Sequence, residues 1–142
     1  MEKQNQQNGK AGEIIIAGRT FHGITQELSA AQDHYLIGQL RVAGCLEFIA
    51  QSKGTPEENA EGLLTQILIS GRASWVLAGC LTEEGKGRWN VQAAEANAHV
   101  FDSITDTESK RGMRDALVGF VLGFFQYAIA SVATSQKSSS QN

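Results

Sequence analysis

The sequence predicts a mostly α-helical single domain that opens with a small β-hairpin. Three observations lead there. Apolar residues recur at helical spacing in several successive segments, and three of those segments are preceded by a capping-box pattern. One short β-branched run, Ile14-Ile15-Ile16, stands apart near the start. The chain holds one proline, so almost nothing forbids long helices.

Residues 1–12 read as a flexible polar tail, residues 13–134 as one helical domain with an N-terminal hairpin, and residues 135–142 as a second polar tail. Within 13–24 the three isoleucines form one strand, Ala17-Gly18 the turn, and Arg19-Thr20-Phe21-His22 the returning strand. A lone hairpin is marginal in water and must pack on the helices or pair with another chain.

Four or five helices follow. Ser29-Ala30-Ala31-Gln32 fits a capping box and opens a helix with Tyr35, Val42, Leu46 and Ile49 on one side, flanked by Leu36, Leu40 and Ala43. It is expected to end near Ser52-Lys53-Gly54. Thr55-Pro56-Glu57-Glu58 combines a Thr N-cap, Pro at the first position and Glu at the third, with Leu63, Leu64, Ile67 and Leu68 as the buried stripe. Ser70-Gly71 marks a kink or break, after which Trp75, Val76, Leu77 and Leu81 continue. Residues 82–88 read as a loop. Asn90 caps a third helix with Val91, Ala94, Ala98 and Phe101 inward, and Thr105-Asp106-Thr107-Glu108 opens a final helix to about Thr134.

The net charge of -3 argues against a dedicated nucleic-acid binder. Lys110, Arg111 and Arg114 cluster, but Asp106, Glu108 and Asp115 surround them, which describes a solvated helix face. Cys45 and Cys80 each sit in an apolar helical context and read as buried free thiols in a reducing compartment; without a CxxC pair they suggest no zinc site. Residues 1–12 lack the apolar stretch of a signal peptide, so the expected location is the cytoplasm. Fifteen glycines is a high count, and helices that keep glycine often use it for close packing.

No catalytic, metal or cofactor residues are assigned. Glu95, His99 and Asp102 share a helix face by spacing, but no matching ligands stand out on other segments. Residues 79–86 depart from a phosphate loop in glycine spacing and in the residue after Lys86. Asp33 and His34 are sequence neighbours, which point in different directions on a helix, and His22 has no evident partner.

The sharpest feature lies in residues 116–134, nineteen residues without a charge. That is nearly a bilayer span, it contains a GxxxG pattern at Gly119 and Gly123, and Lys110, Arg111 and Arg114 precede it. A tail-anchored membrane protein is therefore one reading. Gln126 and Tyr127 interrupt the run, and the earlier amphipathic helices need a central partner, so a soluble central helix is preferred. Leu117, Phe120, Val121 and Phe124 make one stripe; Val118, Leu122, Phe125 and Ile129 make another. One stripe is expected to be covered and part of the other to remain open to a helical client or a second copy. The candidate contact residues are Leu117, Phe120, Val121, Phe124, Phe125 and Ile129.

Over residues 13–125 the order of features resembles the tail assembly chaperones of long-tailed phages. The points of likeness are the opening Glu-Ile-Ile-Ile-Ala-Gly-Arg-Thr-Phe from Glu13, the Gln-Asp-His-Tyr-Leu stretch from Gln32, the apolar segment 63–81 followed by Thr-Glu-Glu-Gly-Lys, and residues 116–125. The resemblance implies a non-enzymatic helical protein that coats the tape measure protein in the host cytoplasm. It also implies contact with tail tube protein through a frameshifted longer form, and self-association. The alternatives are a virion tail or connector subunit whose hairpin extends a neighbour's sheet, and the tail-anchored protein.

Overall fold

The computed structural model describes residues 13–23 and 28–140, with side chains as far as Gly123 except at Pro56. The chain is mostly helical behind a small antiparallel hairpin. Its elements are β1 (Ile14–Ile16), β2 (Arg19–His22), α1 (Ala30–Val42), α2 (Cys45–Gln51), α3 (Pro56–Ser70), α4 (Ala73–Cys80), β3 (Thr82–Glu83), α5 (Val91–Asp102) and α6 (Thr107–Ser140).

Ala17 and Gly18 turn the hairpin with φ of 55° and 74°, the left-handed pair that matches the twist of two antiparallel strands. Ile14 lies opposite Phe21, and Ile16 opposite Arg19. Alternation then puts Ile14, Ile16, Arg19 and Phe21 on the inner face, where Ile16 and Phe21 are fully buried. A third strand, β3, joins the free side of β2, with Phe21 opposite Glu83. The sequence assigned these residues to a loop, because a two-residue polar strand has no alternation to detect. The pairing brings Glu83 under the sheet beside Arg19, whose Nε donates to the Glu83 carboxylate at 2.9 Å. The same guanidinium donates to Asn97 Oδ1 on α5 and lies over the Phe21 ring.

Two expected helices are each split in two. Gly44, at φ 80°, separates α1 from α2, and Gln66 Nε2 donates to the carbonyl of Ala43 exposed at that break (2.8 Å). Gly71, at φ 76°, ends α3, and α4 departs at 115°. The turn is braced by Arg72, which donates to Gln39 Oε1 and stacks on Trp75 at 4.4 Å. Ser29 and Thr55 cap as expected, each in a full capping box. Asn90 accepts from the amide of Ala93. The cap of α6 is Asp106, accepting from Ser109 N at 2.8 Å, one position later than the Thr105 expected. The helix runs to Ser140, past the expected end at Thr134, so residues 135–140 continue it.

The central element is α4, not the last helix. Ser74, Val76, Leu77, Ala78, Gly79 and Cys80 are all buried, and α1, α5 and α6 pack around them. A short helix that is apolar all round can only be satisfied by neighbours on every side. Phe21 and Phe101 meet edge to face at 5.2 Å and join the sheet to α5. Leu117, Val121, Leu63 and Ile67 complete the core between α3 and α6. Of the residues expected inward, Val42, Leu68 and Val91 are exposed. In these three helices the fully buried row is narrow (Leu36 and Leu40; Leu63 and Ile67; Ala94, Ala98 and Phe101), and Val42, Leu68 and Val91 lie outside it.

Candidate protein-docking groove

The capping box at Thr55 and the acidic first turn start α3 firmly, because carboxylates there favour the positive helix end. From that start, Glu57, Glu61, Leu64 and Leu68 fall on one face by their four- and three-residue spacing. This face runs beside α6, where Val118 and Leu122 stand one turn apart. Between the helices lies a groove of about 290 Å³. Ala60 and Val121 form its buried floor, Leu64 and Val118 its half-buried walls, and Leu122, 43% exposed, its outer lip. Glu57, Glu58 and Glu61 rim one end. Leu68 (55% exposed) continues the Leu64 face one turn further along α3, while Ile69 (76%) is exposed on a different side of the helix.

Leu117, Phe120 and Val121, three of the six contact residues expected from the sequence, are buried: Leu117 and Phe120 pack in the core, and Val121 is the floor of the groove. They form the covered stripe, packed against α3 and α4. The side chains of Phe124, Phe125 and Ile129 lie outside the described residues. Leu64, Leu68 and Ile69 were missed as surface residues. Their signal was an apolar width on α3 greater than one packing row, with Leu63, Leu64, Ile67, Leu68 and Ile69 spanning more of the helix than one neighbour covers.

The titratable groups divide differently from the sequence reading. Glu95, His99 and Asp102 do not act together: His99 packs edge to face on Trp75, and Asp102 accepts from Ser74 Oγ. Glu13, His22 and Glu84 instead converge on the outer face of the sheet. Cys45 and Cys80 are free and buried. Burial pushes the Cys45 thiol up to about 11 and the Cys80 thiol further, and Cys80 donates to the carbonyl of Val76. Neither is a poised nucleophile.

Among the described residues no single helix is long and apolar enough to cross a membrane; only α3 and α4 together reach that length and composition, across their 115° bend. The outer edge of β1 lies against α6, with the Ala17 amide donating to Ser109 Oγ at 3.0 Å. Comparisons with protein-family models, curated proteins and solved structures give no match.

Proposed function

We propose that the protein is a non-enzymatic assembly chaperone that holds a helical client along the α3–α6 groove. The observation that carries this reading is the apolar groove between α3 and α6, floored by Ala60 and Val121 and walled by Leu64, Val118 and the exposed Leu122, with exposed Leu68 one turn beyond Leu64 on the same face of α3. Surfaces of this kind, rimmed by charge, mark protein contacts. A groove between two packed helices suits an amphipathic helix presenting anchors at successive turns. The resemblance to phage tail assembly chaperones supplies the client class, a long helical tape measure protein, and places the complex in the host cytoplasm.

The virion-subunit reading is less favoured because α6 occupies the edge of β1 that strand addition needs. The tail-anchor reading would require Ala116, Leu117, Phe120 and Val121 to leave the core. The test is co-expression with the tape measure protein of the same source. Leu122→Asp with Leu68→Asp is expected to abolish co-purification while leaving the fold intact, since both side chains are substantially exposed. Undiminished co-purification of that double variant overturns the groove as the docking site.

A further inference from the structure

We propose that Glu13, His22 and Glu84 bind a divalent transition-metal cation of the zinc class across the outer face of the sheet. The inference does not depend on the client reading.

Strand register builds the site. The pair Ile14–Phe21 places Glu13 beside His22 one step further along. On the other side of β2, His22 lies opposite Thr82, and Glu84 follows on the same face, its amide donating to the carbonyl of Thr20 (2.9 Å). His22 thus has Glu13 directly across on one side and Glu84 diagonally across on the other, a carboxylate on each flank. One ligand atom from each residue falls within 4.8 Å of the other two, and His22 Nε2 is 3.3 Å from Glu84 Oε1. Tetrahedral zinc with bonds of about 2.0–2.2 Å needs its ligand atoms roughly 3.3–3.6 Å apart. The His22–Glu84 pair already has that spacing, and rotation of the Glu13 side chain closes the rest.

Charge gives a second, independent argument. Two carboxylates share one small patch, and among the described residues no Lys or Arg pairs with either. A divalent cation supplies two positive charges against these two carboxylates. The imidazole selects zinc-like ions over calcium or magnesium, which prefer all-oxygen sites. Bound there, the ion ties the start of β1 and the end of β3 to β2 and leaves a coordination position open to solvent.

The test uses the full chain, stripped with chelator and titrated with Zn²⁺ by calorimetry, alongside thermal unfolding. One Zn²⁺ is expected to bind saturably, unaffected by excess Ca²⁺ or Mg²⁺, and to raise Tm by about 11 °C at a hundredfold excess over Kd. His22→Ala should weaken binding more than about 100-fold, since losing even an outer-shell partner costs about 10–100-fold. Glu13→Gln with Glu84→Gln should weaken it comparably and serves if the first variant fails to fold. His34→Ala with His99→Ala should leave binding unchanged. Absence of saturable binding, or binding that survives the Glu13/Glu84 double change or His22→Ala, overturns the proposal.

Discussion

Two glycines in helices are predicted to respond to the same substitution with opposite sign. Gly79, next to last in α4, is buried against α1. A methyl group placed there meets Leu36 Cδ2 at 2.7 Å, Leu36 Cγ at 2.9 Å and Tyr35 Cδ2 at 3.0 Å. The helices cannot simply part, because Gln32 Nε2 donates to the Gly79 carbonyl (3.1 Å) one turn before Leu36. Alanine improves helix propensity by at most about 1 kcal/mol, and less near a helix end. Overpacking a tight core costs about 1–3 kcal/mol. Gly79→Ala should therefore destabilise by about 1–2 kcal/mol. Gly38, in α1, is exposed and has nothing within 4 Å of the same added atom. Gly38→Ala gains propensity alone and should stabilise by about 0.8–1 kcal/mol. Urea unfolding with unchanged m-value reads both; at roughly 4 °C per kcal/mol, Tm should fall by about 4–8 °C for the first and rise by about 3–4 °C for the second. A Gly79→Ala protein as stable as the parent would refute the close packing of α1 on α4.

Other predictions concern the hairpin, the carboxylates and the thiols. Ala17 holds φ 55° without being glycine, which costs about 1–2 kcal/mol; Ala17→Asn, giving an Asn-Gly turn, should raise the urea midpoint by the equivalent of about 1 kcal/mol. Hydrogen bonding from Arg19 lowers the Glu83 pKa, and the Ser109 amide and hydroxyl lower that of Asp106. The stabilisation from both is complete above about pH 5 and fades as pH falls through the carboxylate range. The stability gap between the parent and Glu83→Gln, followed by urea titration from neutral to acid, should narrow accordingly; a gap that widens in acid contradicts the pairing. Cys45 and Cys80 should resist a thiol reagent in the native protein and react together on unfolding, so fast labelling of either before the transition contradicts their burial.

Much of the fold was legible because its signals are local. The Ser29 and Thr55 capping boxes, the Asn90 cap, the Ala17-Gly18 turn and the Ser70-Gly71 break all rest on side chains or backbone angles within four residues. What was misread depends on long-range packing. Gly44 breaks a helix whose apolar pattern continues across it, and the break is held by Gln66, distant in sequence. The third strand exists only because β2 offers an edge to Thr82 and Glu83. The candidate surface was legible in part. Residues 116–121 announced an apolar helix, but periodicity alone could not say which of its two stripes α3 and α4 would cover, and the covered one holds the candidate contacts Leu117, Phe120 and Val121. The Glu13–His22–Glu84 group spans three strands and has no spacing signature.

The central claim, that the α3–α6 groove is where a helical client docks, is tested most directly by site-specific photo-crosslinking in the native source. A photoreactive residue would be placed at Leu122, at Leu68, or at Val91 on α5 as a control, a position exposed to a similar degree outside the groove. The account predicts that Leu122 and Leu68 capture the same long helical protein, that Val91 captures none of it, and that the adduct is missing from finished particles. Equal capture at all three positions, or none at Leu122 and Leu68, would contradict it.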